Sequence, residues 1–193
     1  EPVGRLVRRA KVVNENGKII VKNATPGTEF MRSRDANFRP INAGTGPDGC
    51  LYIVDMYRGI IQEGNWVRPG SYLRGVVENH GLDKNIKRGR IYRVVHTTTK
   101  RDKKPQMLKA PTADLVKHLS HPNGWWRDTA QKLIVVRGDK TVVAQLKSLA
   151  LTGKAPLGRL HALWTLDGLG EFDSKVITAA MVDEDPRVRA AAI

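Results

Sequence analysis

The chain has 193 residues and lacks several features on which common protein functions depend. Cys50 is the only cysteine, so neither an internal disulfide nor a cysteine-based zinc cluster can form. The pattern Cys-x-x-Cys-His is absent as well, which excludes covalent attachment of a c-type haem to this chain. No apolar run reaches the ~18–20 residues that cross a bilayer. The five histidines have no metal-ligand spacing, and we expect no metal site in this chain.

The two ends of the sequence also lack expected signals. It starts with neither a methionine nor the apolar segment of a signal peptide. It ends within residues 185–193, a pattern that starts a helix and carries no signal for its end. We therefore expect the chain to be a piece of a longer protein, and the missing signal peptide says nothing about its compartment.

Acidic residues are in the minority. There are 33 Lys and Arg residues against 19 Asp and Glu residues, a net charge of +14. Most of the surplus lies in residues 1–104, with 21 basic against 10 acidic residues. Such a surplus favours anionic partners, including nucleic acid, acidic lipid headgroups and acidic proteins. Because the charges are scattered rather than gathered on one helix face, we interpret them as a solvated basic surface.

Residues 1–104 have the pattern of short strands joined by turns. Asn16-Gly17 favours a tight hairpin within residues 5–22. Gly46-Pro47-Asp48-Gly49 is a strong turn, in which we expect Asp48 and Gly49 to have a structural role. Further predicted elements are an extended segment at 38–42, a buried strand at 50–54, a helix at 72–79 between Ser71 and Gly81, and a half-buried strand at 89–95.

Residues 105–193 have a helical repeat instead. Arg-x-x-Ala units begin at Arg127, Arg159 and Arg189, with spacings of 32 and 30 residues, and a period in this range indicates stacked helical hairpins. We expect these arginines to pair with aspartates of adjacent repeats. Thr112 is predicted to cap the first helix. The other predicted helices cover residues 125–136, 141–151, 157–169 and 174–182, and a last one begins near Pro186.

Two segments resemble known families. Asp-Pro-x-Val-Arg-x-x-Ala at 185–192 resembles the HEAT-repeat signature. Residues 38–41, 46–62, 81–84 and 89–95 resemble the end of the β-propeller in bacterial "membrane-bound dehydrogenase" domain proteins, distant relatives of the pyrroloquinoline quinone (PQQ)-dependent glucose and sorbosone dehydrogenases. The resemblance implies an α+β multidomain chain. An antiparallel β-propeller blade remnant, residues 1–104, would precede an α-α HEAT-like solenoid of about three repeats, residues 105–193, the last one truncated.

The same resemblance implies a function for the parent protein. Such proteins are extracytoplasmic, in the periplasm or cell envelope, and oxidise a sugar or alcohol with PQQ and calcium. Electrons then pass to a cytochrome c domain, so haem would belong to a separate domain and membrane association to parts outside this chain. The catalytic base lies in an earlier propeller blade, and we expect this fragment alone to be inactive.

The candidate cofactor-binding residues follow the strand at 50–54. The resemblance implies an arginine there near the anionic cofactor, and Arg58 stands at this place. Arg39 is a further candidate, because a guanidinium binds carboxylates with two parallel hydrogen bonds. Asp55, at the end of the same strand, is the third candidate. The alternative is structural: Asp55 would pair with Arg58 or Arg39 and lock the sheet.

Two other functions remain open from the sequence. One is a non-catalytic propeller and solenoid scaffold that binds a protein or polysaccharide, with Trp125, Trp126 and Trp164 either packing in the core or anchoring a partner. The other, ranked last, is a basic HEAT protein that binds nucleic acid.

Overall fold

The computed structural model describes residues 1–61, 64–171 and 173–193 and divides the chain into two compact units. The first unit consists of Glu1–Gly44 and Cys50–Thr99, and the second of Thr45–Gly49 and Lys100–Ile193. The fold is a mixture of helices and small antiparallel sheets. The described strands close no barrel or propeller.

The first unit contains three small sheets and one helix. Its strands are β1 (Leu6–Val7), β2 (Ala10–Glu15), β3 (Lys18–Asn23), β4 (Met31–Arg32), β5 (Pro40–Thr45), β6 (Leu51–Asp55) and β7 (Arg90–Val94), and its helix is α1 (Tyr72–His80). β1 pairs with β4, β2 pairs with β3, and the third sheet has the order β5-β6-β7. The strand β5 ends at Thr45, in the segment assigned to the second unit.

Local signals in the first unit explain most of these elements. The β2–β3 hairpin turns at Asn16 and Gly17, whose φ angles of 53° and 80° fit the tight turn that the sequence predicts. Ser71 caps α1 by accepting a hydrogen bond from the Arg74 backbone N–H, and Gly81 ends the helix in the left-handed conformation. Both predictions are confirmed. The predicted hairpin segment contained Leu6 and Val7, but these residues pair with β4 instead.

The second unit consists of successive helices. They are α2 (Thr112–His118), α3 (Gly124–Arg137), α4 (Val143–Thr152), α5 (Pro156–Gly168), α6 (Ser174–Met181) and α7 (Pro186–Ala191). Three pairs of consecutive helices pack together: α2 with α3, α4 with α5, and α6 with α7. In addition, α5 contacts both α3 and α7, and α4 contacts α6. None of the described helices is long and apolar enough to span a membrane.

The core of the second unit lies between these helices. Leu115, Leu119, Ile134, Leu146 and Val188 are completely buried. In the first unit, the buried apolar residues within the described part are Phe38, Cys50, Ile53 and Val77. Large apolar side chains of this kind stabilise a fold by roughly 1.5–3 kcal/mol each relative to full exposure. The apolar stabilisation is therefore greater in the helical unit.

The repeated arginines make one common contact. The Nη1 atom of Arg127 donates to the carbonyl of His121, that of Arg159 to Gly153, and that of Arg189 to Asp183, always six residues earlier. Each arginine thus satisfies a carbonyl in the turn that precedes its own helix. The periodic pattern therefore has a structural role.

Two predictions about the helical unit need correction. Only Arg159 of the three makes the expected pair with an aspartate, Asp183, whereas the guanidinium contacts found for Arg127 and Arg189 are to backbone carbonyls. Thr112 does not cap α2, because Pro111 occupies the cap position and Thr112 is the first helical residue. Pro111, with φ −55° and ψ 146°, is the non-helical residue that precedes α2, so Thr112 already lies inside the helix.

Candidate functional site

A pocket of about 340 Å³ opens in the first unit at one end of the β5-β6-β7 sheet. The strand β6 ends at Asp55 and β7 begins at Arg90, and these two residues are Cα partners in the antiparallel ladder. Most of the remaining wall comes from Met56 and Arg58, which follow β6, and from Asn85, Ile86, Lys87 and Gly89, which precede β7. We call this the β6–β7 pocket.

Asp55 is the buried carboxylate of the β6–β7 pocket, with 1% of its surface exposed. Its Oδ1 atom accepts hydrogen bonds of 2.8 Å from the backbone N–H groups of Arg39 and Tyr57. Its Oδ2 atom accepts none from the residues that the structure describes. Leaving a buried acceptor unpaired is costly, so a hydroxyl or amine of a ligand would be a favourable partner for this oxygen.

The backbone beside Asp55 is held in an unusual conformation. Tyr57 and Lys87 both have positive φ angles, of 47° and 59°, which side-chain-bearing residues seldom adopt. The Asn85 side chain donates a 3.2 Å hydrogen bond to the Tyr57 carbonyl and thereby joins the two wall segments. Strained residues of this kind cluster at ligand sites, where the surrounding structure maintains them.

The Arg39 side chain also fixes the segment of residues 57–59 that follows β6. Its Nη2 atom donates to the carbonyl of Gly59 at 2.7 Å, and its Nη1 atom donates to that of Pro2 at 3.3 Å. Gly59 has no space for a side chain, because a Cβ atom would lie 2.8 Å from the Leu82 carbonyl oxygen. Residues 57–59 are therefore fixed on both sides, and Arg58 projects from a rigid support.

Three cationic side chains line the β6–β7 pocket: Arg58, Lys87 and Arg90. Arg58 and Lys87 are exposed, and neither has an ion pair among the described residues. The Arg90 guanidinium carbon lies 3.4 Å from the centre of the Tyr57 ring, a cation–π contact. A hydrogen bond with the Tyr92 side chain raises the pKa of Arg90 further above its ordinary value. With three cations against Asp55, the pocket favours a ligand with more than one negative charge.

Tyr57 connects this pocket to a second carboxylate. A hydrogen bond with Asp35 raises the pKa of the Tyr57 phenol above its ordinary value, and burial acts in the same direction. The phenol is therefore protonated at neutral pH and donates to Asp35. This bond fixes the ring against which Arg90 stacks.

The structure brings Asp55 and Arg58 to the same pocket. The contact found between Arg39 and Asp55 is a hydrogen bond from the Arg39 backbone N–H, not from its guanidinium group. The sequence reasoning missed Lys87 and Arg90. Pairing β6 with β7 in register would have identified Arg90, because it stands directly opposite Asp55. Gln62, part of the quoted resemblance, lies outside the described residues.

Asp48 and Gly49 form the predicted turn, with a 3.0 Å hydrogen bond from the Gly49 N–H to the Gly46 carbonyl.

The histidines and tryptophans belong mainly to the helical unit. Trp126 is buried, and its indole N–H donates to the Pro47 carbonyl at 2.9 Å, while the His121 ring stacks on it. Trp164, in contrast, has 46% of its surface exposed, which agrees better with the second of the two roles left open for the tryptophans than with core packing. Within the described part of the chain, no group of three or more His, Cys, Asp or Glu side chains could hold a metal ion.

Comparison with known proteins gives a family for the first unit. Residues 1–98 match the model of a family described as "Domain of unknown function (DUF7133)", and the chain belongs to this family. The matched region contains the whole β6–β7 pocket. No curated protein and no solved structure matches the chain.

Proposed function

We propose that this chain is part of an extracytoplasmic dehydrogenase of the quinoprotein type, and that its β6–β7 pocket binds the carboxylates of an anionic quinone cofactor. The grouping of Arg58, Lys87 and Arg90 around Asp55 carries the proposal. Guanidinium groups match carboxylates in shape and charge, and the site stands on a rigid, strained backbone. The substrate in this proposal is a sugar or alcohol, and a cytochrome c domain receives the electrons.

The side chains present fit PQQ in part. Arg58, Lys87 and Arg90 would hold its carboxylates, and Asp55 would accept a hydrogen bond from a donor of the ligand or substrate. PQQ would supply the oxidising quinone when bound. The calcium ion of the related dehydrogenases finds no matching ligand cluster among the described residues, and we assign it no role here. We assign no catalytic base among the residues that the structure describes.

Titration with PQQ tests this proposal. The chain and its Arg58→Ala variant are titrated while tryptophan fluorescence is followed. A hydrogen bond to a charged group contributes about 1.5–3 kcal/mol, so we expect about 10–100-fold weaker binding by the variant. Arg74→Ala is the matched control, because Arg74 pairs with Glu78 on α1, outside the pocket lining. Equal losses in both variants, or no binding by the wild type, would reject the proposal.

A second candidate function is a non-catalytic scaffold, in which the helical unit is a HEAT-like solenoid that docks a partner. The exposed Trp164 favours this alternative, because exposed tryptophans are common binding anchors. Co-purification of a partner with the wild-type chain, lost on Trp164→Ala, would support it. Binding of duplex DNA that weakens steeply with salt would favour the third hypothesis, a nucleic-acid binder, over both.

A further inference from the structure

The helical unit has its own groove between α3 and α5, with a volume of about 500 Å³. We call it the α3–α5 groove. Asp128, Lys132 and Val136 line it from α3, at spacings of four residues that place them on one face of the helix. His161, Trp164 and Asp167 line it from α5 with spacings of three. Two parallel rows of side chains therefore form its walls.

The floor of the α3–α5 groove is rigid. The two helices approach so closely at Gly168 that a Cβ atom there would lie 2.7 Å from a methyl group of Val135. His161, which is 94% buried, bonds from its Nδ1 to Gln131 across the groove at 2.7 Å. A groove that is formed before its ligand arrives costs little ordering on binding.

The α3–α5 groove carries negative charge in a strongly basic chain. Asp128 and Asp167 are exposed and are opposed by one lining cation, Lys132. Burial and the nearby charge of Arg127 lower the pKa of His161, so this ring is neutral at pH 7. The Asp167 carboxylate has neither a hydrogen bond nor an ion pair with the described residues, whereas Glu171 and Asp173 nearby pair with lysines.

The α3–α5 groove also exposes two apolar side chains, Trp164 and Val136. The Trp164 ring is 46% exposed, and the His161 ring packs edge-on against it with centroids 5.9 Å apart. Val136 is 74% exposed. A tryptophan ring beside carboxylates suits a guanidinium, which stacks on the ring and bonds to the oxygens at once. An aliphatic side chain would cover Val136.

We propose that the α3–α5 groove binds a protein segment that carries an arginine next to an aliphatic residue. The guanidinium stacks on Trp164 and pairs with Asp128 and Asp167, and the aliphatic side chain packs on Val136. This inference rests on the scaffold role proposed above and gives its partner a chemistry. Nucleic acid and acidic lipid do not suit the groove, because their phosphates would meet two carboxylates.

Two synthetic peptides test the proposal. One alternates arginine and leucine, and the other has citrulline, the neutral isostere, in place of each arginine. Both carry a fluorescent label, and their binding to the full chain is measured by fluorescence anisotropy at two salt concentrations. A chain with net charge +14 repels cationic peptides in general, so tight binding of the arginine peptide is a local effect of the groove.

We expect the arginine peptide to bind at least tenfold more tightly than the citrulline peptide. Asp128→Asn and Asp167→Asn should each weaken binding of the arginine peptide about 2–5-fold. Trp164→Ala should weaken it by up to about 30-fold. Asp114→Asn is the matched control, because Asp114 is an exposed acid on α2 that pairs with Lys117. Asp114→Asn should leave the affinity for the arginine peptide unchanged.

Each of the other possible results would contradict a particular part of the proposal. Equal binding of the two peptides, lost on Trp164→Ala, would reject the arginine preference and keep the scaffold role. Binding of neither peptide would overturn the inference. A dimer of the chain that Trp164→Ala dissociates, measured by sedimentation, would replace the partner segment by a second copy.

Discussion

Replacing Arg159 with methionine should destabilise the helical unit far more than the same replacement at Arg187. Arg159 is 93% buried at its side chain and forms two 2.7 Å hydrogen bonds with the Asp183 carboxylate. Its Nη1 atom bonds to the Gly153 carbonyl at 2.8 Å. The Arg187–Asp185 pair has similar chemistry, but its guanidinium side chain is 58% exposed.

The expected magnitude follows from this difference in burial. Removing one partner of a buried ion pair leaves an uncompensated charge and costs about 3–5 kcal/mol. We expect about 3 kcal/mol for Arg159→Met, the lower end, because Asp183 keeps 10% exposure and can recover some water contact. An exposed pair contributes about 0–1 kcal/mol, so Arg187→Met should change little.

The measurement is urea unfolding of both variants at pH 7, followed by circular dichroism of the helices. The variants Asp183→Leu and Arg159→Met/Asp183→Leu complete a mutant cycle. We expect the double variant to be more stable than Arg159→Met alone, because no buried charge is left unpaired. A cost below 1 kcal/mol for Arg159→Met, or equal costs at Arg159 and Arg187, would show that the buried pair stabilises the helical unit no more than an exposed one.

Three further predictions follow from the geometry. Gly168→Ala should cost about 1–3 kcal/mol in thermal unfolding because its Cβ would crowd Val135, whereas Gly75→Ala, with open space on α1, should stabilise by about 0.5–1 kcal/mol. Gly59→Ala should weaken PQQ binding in the fluorescence titration, because it displaces the segment that carries Arg58; unchanged affinity would contradict this. The hydrogen bond from Arg159 lowers the pKa of Asp183, so its stabilising contribution is complete above the unfolded value of ~4 and disappears as the pH falls through the folded value. Unfolding between pH 2 and 5 should therefore show a flatter profile for Asp183→Asn than for the wild type.

Local sequence signals predicted the elements that depend on local interactions. Asn16-Gly17 identified the hairpin, and Ser71 with Gly81 identified the ends of α1. Pro156 and Pro186 are at the start of α5 and α7, where a missing N–H costs nothing. The spacing of the Arg-x-x-Ala units predicted the succession of helix pairs.

Contacts between residues that are far apart in the sequence could not be predicted from local patterns. Two-residue strands such as β1 and β4 have no periodic pattern, and their pairing depends on chain closure over 24 or more residues. Arg127 and Arg189 were expected to meet aspartates, but a turn carbonyl six residues earlier is closer. In the candidate site, Arg58 was named from a resemblance, whereas Arg90 required the register of β6 with β7, and Lys87 required the path of the segment that precedes β7.

Bound PQQ can be located directly on the arginine side chains of the β6–β7 pocket. Nuclear magnetic resonance of the Nε–H groups, in a chain labelled at arginine nitrogen, is recorded during a PQQ titration. We expect large shifts for Arg58 and Arg90 and none for Arg74 and Arg187, which pair with Glu78 and Asp185. Shifts at saturation that leave Arg58 and Arg90 unchanged would contradict the proposed site.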